Sequence, residues 1–243
     1  MEPILKAEHL AISFGSNHVL KDVNFELNNN EVLGVIGPNG AGKTVMLNIL
    51  TGIMKPTGGN ITFMGKDIVN KNINERTYLG IGRTFQVPRS FEKMSAYENI
   101  MTGGVFGNKM SQHAAGTRAE EILELIGLQD RAMTLAGSLS LLNRKRLEIG
   151  VALASNPKII LFDEVAGGLT ESEIQSILDI VSSLKKDGYS IIWIEHVIQT
   201  MLKGTDRVLL LANGCNLTCG HPHTVMASEE VERVYLGVKK KNA

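Results

Sequence analysis

An α/β fold is what this sequence predicts, and three observations carry the prediction. Three short apolar runs have the length and β-branched composition of buried strands: Val32-Leu33-Gly34-Val35-Ile36, Ile159-Ile160-Leu161-Phe162 and Ile191-Ile192-Trp193-Ile194. Between the second and third, Ile174, Ile177, Leu178, Val181 and Leu184 recur at helical spacing, and Gly188 ends that stripe. Directly after the first run, Gly37-Pro38-Asn39-Gly40-Ala41-Gly42-Lys43-Thr44 fits G-x-x-x-x-G-K-[ST], the phosphate-binding P-loop, whose context is a strand before and a helix after.

The elements follow in order. Ile4 to Phe14 and Val19 to Leu27 are expected to be paired strands joined by a turn at Gly15-Ser16-Asn17, and Asn28-Asn29-Asn30 is a turn before the P-loop strand. Val45 to Leu50 begins the helix after the P-loop. Pro56-Thr57-Gly58-Gly59 marks a loop and Ile61-Thr62-Phe63 a strand; Asn74 to Leu79 is a short helix and Ile81 to Phe85 a strand. From Val87 to Ser155 the character changes. The β-branched runs stop and helix formers dominate, as in Arg118 to Ile126 and Arg146-Leu147-Glu148, so this stretch is expected to be a helical insert. Gly103-Gly104 through Ser111 is expected to be a flexible loop within it. Trp193, inside an apolar run, is expected in the core.

The P-loop carries its own chemistry. A turn between strand and helix aims consecutive backbone N–H groups, and the positive end of the helix, at a triphosphate. Its glycines allow close approach and unusual φ. Lys43 supplies a point charge for the β- and γ-phosphates and Thr44 a hydroxyl for Mg²⁺. The run Ile159 to Phe162 ends in Asp163-Glu164, the usual other half of an NTP site. Asp163 would hold Mg²⁺ directly or through water, and Glu164 would orient and deprotonate the water that attacks the γ-phosphate.

Bulk properties set limits. The chain has 243 residues, is 43% hydrophobic and carries zero formal net charge, enough for one large domain and no strong field for nucleic acid or acidic lipid. Met1 to Leu10 carries Glu2, Lys6 and Glu8, so no signal peptide is expected there. No apolar stretch approaches the ~20 residues that span a bilayer. The lysines 239–241 are expected to be a solvated end, and two cysteines fit a reducing cytoplasm.

These motifs, in this order, resemble the nucleotide-binding subunit of an ATP-binding cassette (ABC) transporter over nearly the whole chain. The resemblance implies a single ABC ATPase domain over 1–243: an α/β P-loop NTPase core from 1–86 and 156–243, with an antiparallel β-subdomain, and an inserted helical subdomain over 87–155. It places Phe14 as the aromatic that stacks on adenine and Gln86, in Arg83-Thr84-Phe85-Gln86, as the glutamine that bridges Mg²⁺ or lytic water to a moving loop. Leu139-Ser140 begins the signature, Ala166-Gly167-Gly168-Leu169-Thr170 is the loop after the catalytic carboxylate, and His196 is the switch histidine on the γ-phosphate. ATP would lie between two cassettes, P-loop of one against signature of the other. Gly82 to Gln86, Arg146-Leu147-Glu148-Ile149 and Val234-Tyr235-Leu236-Gly237 are similar to the branched-chain amino acid importers, a branch that includes urea and short-chain amide importers. The implied partners are transmembrane permease subunits, a second ABC ATPase subunit and, indirectly, an external solute-binding protein, with no nucleic acid. The implied location is peripheral, on the cytoplasmic face of the cell membrane. The permease contact is expected near Val87 to Asn99, with Phe91 and Met94 as apolar candidates.

The chain departs from the family pattern in places. Val45 stands where a small hydroxyl residue usually contacts the α-phosphate, and Val165 replaces a proline. In the signature, Leu142 and Asn143 replace glycine and glutamine, and a leucine Cβ crowds the approach to the opposite subunit's γ-phosphate. That makes a non-catalytic regulatory subunit one rival reading. A non-transport ABC ATPase acting in DNA repair or translation is another, disfavoured by neutral charge and the lack of a second cassette or coiled-coil insertion. Cys215, Cys219, His221 and His223 are zinc-like in type, but C-x₃-C-x-H-x-H is too compact for a usual zinc module, and Gly214 and Gly220 suit a strand-turn-strand.

Overall fold

The computed structural model describes residues 2–236. Met1, Gly237 and the lysines 239–241 lie outside the described residues. The hairpin β1 (Leu5–Phe14) and β2 (Asn17–Leu27) turns at Gly15, whose φ of +60° a glycine adopts without strain. β3 (Val32–Ile36) leads through the P-loop into α1 (Lys43–Leu50). β4 (Gly58–Phe63) and the short β5 (Lys66–Asp67) follow, then α2 (Ile73–Leu79) and β6 (Ile81–Arg83). Three helices come next: α3 (Ala96–Asn108), α4 (Gln112–Leu125) and α5 (Leu141–Ala154). The chain then alternates through β7 (Ile159–Asp163), α6 (Glu171–Lys186), β8 (Ser190–Ile194) and α7 (Ile198–Gly204). It ends in β9 (Arg207–Ala212), β10 (Cys215–Gly220), α8 (Pro222–Met226) and α9 (Glu229–Leu236).

Among the described residues the strands form one sheet in the order β5-β4-β1-β2-β10-β9-β3-β8-β7-β6. The stretch from β9 to β6 is parallel, while β1, β2, β4 and β5 pair antiparallel. One parallel pairing, Cys215 with Asp22, joins β10 to β2. The parallel strands are mostly apolar because both faces are covered, with Arg83, Asp163, Ser190 and Arg207 at strand ends. In β7, Ile160 and Phe162 face one core with α5 and α6, while Ile159 and Leu161 face the other with α1 and the hairpin. β8 divides the same way, Ile191 and Trp193 against Ile192 and Ile194. Trp193 is fully buried and meets Phe162 edge-on, centroids 6.1 Å apart. The stripe of α6 packs inward as its spacing predicts. Thr170 and Glu173 form a capping box at its start, and Gly188, at φ +88°, follows its end.

Several boundaries differ from the sequence reading, among them β2, which begins at Asn17 inside the expected turn. α1 begins at Lys43, two residues before Val45. Gly58 and Gly59 belong to β4, where a Cβ on Gly59 would come 2.6 Å from the Glu8 carbonyl oxygen, so the glycine serves close strand approach and not a loop. β6 stops at Arg83, before Phe85. The loop expected from Gly103 to Ser111 is mostly helix: α3 continues to Asn108, Lys109 caps it at φ +55°, and Ser111 caps α4. Gly103 lies against α5, where a Cβ would stand 2.8 Å from the Val151 carbonyl oxygen.

Cys215 and Cys219 sit on β10, His221 caps α8 and His223 lies within it. The two imidazoles stack at 5.6 Å and Cys219 Sγ accepts from Arg207 Nη2 at 3.3 Å. Among the described residues no group of three or more His, Cys, Asp or Glu side chains converges on a metal position.

Candidate active site

The site lies past the C-terminal ends of the parallel strands, where α/β sheets bind ligands. β3 delivers the P-loop, β6 the segment to Gln86, β7 Asp163-Glu164, and β8 Glu195-His196. Three P-loop glycines have positive φ: Gly37 at +156°, Gly40 at +81° and Gly42 at +101°. A Cβ on Gly37 would overlap the Leu211 carbonyl oxygen, and one on Gly42 the Leu20 side chain, whereas Gly40 faces open space. Gly42 is the N-cap of α1 and offers no side-chain cap, so the helix leaves N–H groups for an anion. Pro38 is half-buried, Asn39 exposed, and Ala41 buried, its N–H donating to the Pro38 carbonyl at 3.2 Å.

Lys43 folds back over the loop. Its ammonium donates to the carbonyls of Gly37 at 2.7 Å and Pro38 at 3.1 Å. Burial lowers its pKa, opposed by the nearby charges of Glu164 and Asp163. Thr44 is exposed at the start of α1; Val45 is half-buried against the core shared with the hairpin.

Glu164 is the hub. His196 Nε2 lies 2.8 Å from its Oε1 and Gln86 Nε2 donates to its Oε2 at 2.6 Å. Three residues spread over more than a hundred positions thus meet at one carboxylate. Glu164 has φ +51°, a left-handed conformation that non-glycine residues avoid. Its backbone is held on both sides: the N–H donates to the Ile194 carbonyl at 2.9 Å, and the carbonyl accepts from Lys145 Nζ at 2.9 Å. Such a conformation persists where the surroundings over-determine it, and functional sites collect them. Asp163 is 2% exposed; Arg83 Nη2 donates to its Oδ2 at 2.8 Å, while Oδ1 is buried without a hydrogen-bond partner among the described residues.

Phe14 is 51% exposed at the end of β1, so it is no core aromatic of the hairpin. Ser140 does not join the cluster. Its hydroxyl caps α5, accepting from the Asn143 N–H at 3.4 Å. Leu142 is half-buried and packs into the core, while Leu141 is 46% exposed and lies beside Gly168.

Four site residues carry no role in the sequence reading. Arg83 pairs with Asp163, Lys145 holds the Glu164 carbonyl, Glu195 accepts from the Ala166 N–H at 2.6 Å, and Tyr235 Oη accepts from the Gly37 N–H at 2.9 Å. Arg83 and Glu195 have a sequence signal: each is a charge at the end of an apolar strand, and a buried charge needs a partner. Lys145 and Tyr235 have none, because their partners are distant and are backbone atoms.

A strand–P-loop–helix beside a strand-borne Asp-Glu pair defines a P-loop nucleotide-hydrolysing domain. The family model described as ABC transporter matches residues 20–167, and the chain belongs to the ABC transporter family. It is 34% identical to the lipopolysaccharide export system ATP-binding protein LptB of Haemophilus influenzae, over 96% of this chain and 97% of that one. It is 32% identical to the high-affinity branched-chain amino acid transport ATP-binding protein LivG of Salmonella typhimurium, over 97% and 98%. The crystal structure of the ADP conformation of MJ1267, an ATP-binding cassette of an ABC transporter, matches with TM-score 0.88 and 31% identity, covering 98% of this chain and all of that one. The chain is therefore an ATP-binding ATPase subunit of a transporter, of a kind that dimerises and works with membrane permease subunits. Among the described residues no helix is long and apolar enough to cross a membrane.

Proposed function

We propose that this chain hydrolyses ATP to drive import of branched-chain or other amino acids through separate permease subunits, peripherally on the cytoplasmic face of the membrane. The observation that carries its hydrolytic part is the Glu164 carboxylate held between Gln86 and His196, within the field of Lys43. Lys43 exchanges its two loop carbonyls for β- and γ-phosphate oxygens. The N–H groups from Gly40 to Val45 cradle the phosphates, and Phe14 stacks on adenine. Glu164 takes a proton from water as its oxygen bonds the γ-phosphorus in line, and the bond to the bridging oxygen of the β-phosphate breaks. His196 hydrogen-bonds the γ-phosphate and Gln86 holds the water. The donor set suits Mg²⁺, which prefers oxygen: Asp163 Oδ1 lacks a partner among the described residues, Thr44 is exposed with its hydroxyl, and Gln86 reaches the cluster. When bound, Mg²⁺ would neutralise phosphate charge.

A cleft of about 300 Å³ between α2, β6, α3 and α5, lined by Ile53, Phe85, Arg89, Phe91 and Val151, supports a permease contact; Phe91, and Val87 in the same segment, are more than half exposed. The segment from Gln86 ties this cleft to Glu164. On this reading residues 1–86 and 156–243 act as the catalytic body and 87–155 as the arm that carries the signature, and the second cassette is a distinct chain.

The similarity to LivG favours amino-acid import, with urea or amide import in the same branch; the similarity to LptB favours lipopolysaccharide export as a second reading. Cells lacking this chain should lose uptake of labelled branched-chain amino acids. The wild-type chain should restore it and Glu164→Gln should not, while that variant still binds ATP; Lys43→Ala should lose binding as well. Normal uptake with impaired lipopolysaccharide export would establish the second reading.

A further inference from the structure

Arg83 has no part in the chemistry above, yet it is buried at the centre of the site. Its side chain is 7% exposed. Nη2 donates to Asp163 Oδ2 at 2.8 Å and Nη1 donates to Asn48 Oδ1 at 2.6 Å. The Phe85 ring stacks on its guanidinium at 5.0 Å, with Arg89 on the same ring at 4.2 Å. Asn48 belongs to α1, the helix that begins Lys43-Thr44; Asp163 ends β7. One planar fork therefore bridges the two elements that present Thr44 and Asp163. A buried ion pair is weak evidence for stability, because desolvation consumes most of its attraction. What a fork bonded at both ends does supply is geometry. It occupies Oδ2 and leaves Oδ1, buried and without a partner among the described residues, as the oxygen that remains to be used. The Asp163 N–H, donating to Thr84 Oγ1 at 3.2 Å, pins the other side of the residue.

We propose that Arg83 is a positioning residue of the divalent-cation site: by holding Asn48 and Asp163 together it sets the α1–β7 spacing and presents Asp163 Oδ1 to the cation that accompanies ATP. The proposal rests on the reading of Asp163 as a cation ligand. Two effects of Arg83 oppose each other. Its charge repels a cation, and its fork orders the ligands. Outer partners of metal ligands are commonly worth 10–100-fold in metal affinity, so ordering is expected to win.

The test is binding of a fluorescent ATP analogue, titrated with Mg²⁺ and repeated in EDTA. Arg83→Lys keeps the charge and loses the fork; Arg83→Gln loses both. Both should need roughly tenfold more Mg²⁺ for half-maximal binding, with EDTA affinity within about twofold of wild type. Asn48→Ala removes one arm and leaves Arg83 in place, so it should shift the same way by less, and it decides the matter if the Arg83 variants do not fold. An unchanged Mg²⁺ requirement in Arg83→Lys or, failing that, in Asn48→Ala overturns the proposal. So does tighter Mg²⁺ binding in Arg83→Gln, or a parallel loss of affinity in EDTA. Asp163→Asn separates the two levels. If it keeps the wild-type Mg²⁺ dependence, Asp163 is not a ligand and the underlying reading fails. If it loses that dependence while the Arg83 variants keep it, only the role of Arg83 fails.

Discussion

Glu195 holds together two loops beside the Glu164 cluster. Its Oε1 accepts from the Ala166 N–H at 2.6 Å and from Trp193 Nε1 at 3.3 Å, and its Oε2 accepts from the His196 N–H at 3.3 Å. Burial raises its pKa above the ordinary glutamate value of 4.5; the hydrogen bonds from Ala166, His196 and Trp193, and the charge of Lys145, oppose that rise without cancelling it. A group whose folded pKa lies above its unfolded one stabilises fully below the unfolded value, and that contribution is lost as pH rises through the folded value. Glu195→Gln cannot ionise and so escapes the loss. It pays a separate, pH-independent penalty, because an amide N–H₂ would face a backbone donor. The melting temperature of the variant minus that of wild type should therefore grow more positive from pH 4.5 upward. Thermal melts across that range check it; a flat difference would show that burial does not raise this carboxyl.

At the scale of elements, Gly103 and Gly104 show what sequence hides. Two adjacent glycines look the same in a loop and at a helix crossing, and what separates them is a partner far along the chain. Here the partners are Val151 and Ala154 of α5 for Gly103, and Ala115 of α4 for Gly104. A Cβ on Gly103 would stand 2.8 Å from a carbonyl oxygen and 2.9 Å from the Ala154 methyl, whereas one on Gly104 would stand 3.1 Å from the Ala115 methyl. Alanine gains about 1 kcal/mol in helix propensity at either place, and overpacking costs about 1–3 kcal/mol. Gly103→Ala should therefore destabilise the protein, and Gly104→Ala should do so less or not at all. Denaturant unfolding of both variants measures this; a stabilised Gly103→Ala would show that α5 yields to a Cβ at this crossing. The same contrast explains what else was legible. The P-loop, β3, β7 and β8 announce themselves because motif, length and β-branching are local properties. Arg83 with Asp163, and Tyr235 with Gly37, are joined only by the fold, across 80 and 198 positions. Asp163, Glu164, His196 and Gln86 could be named in advance because motif order carried them; that Gln86 and His196 both grip Glu164 could not.

At the scale of the whole molecule, the residues proposed to serve phosphate, metal and base are all present while the signature is altered, and this asymmetry predicts how it pairs. In the sandwich that the family resemblance implies, each site joins one chain's P-loop, Asp163-Glu164 and His196 to the other chain's signature. Here α5 opens with Leu141-Leu142, and Leu142 stands where glycine is expected. Leu142 is anchored in the core, and Leu141, 46% exposed beside Gly168, stands at the surface next to the loop after Glu164. On that reading the Leu142 Cβ would keep a backbone N–H from approaching the opposite γ-phosphate. A lost N–H contact to a charged phosphate is worth about 1.5–3 kcal/mol, roughly ten- to a hundredfold in rate if felt in the transition state. A homodimer would contain two such impaired sites. A pair with a distinct cassette bearing an intact signature would contain one good site, built on this chain's P-loop, and one weak site on the partner's. The purified chain alone should be a poor ATPase, and Leu142→Gly, alone or with Leu141→Gly, should raise its rate by roughly tenfold if the N–H contact returns. In the mixed complex, Glu164→Gln should silence turnover more than the matching change in the partner, because only this chain's carboxylate faces an intact signature. Vigorous ATPase from the unmodified homodimer, unmoved by either glycine substitution, would sink the asymmetric pairing and show that the start of α5 serves phosphate with leucine in place.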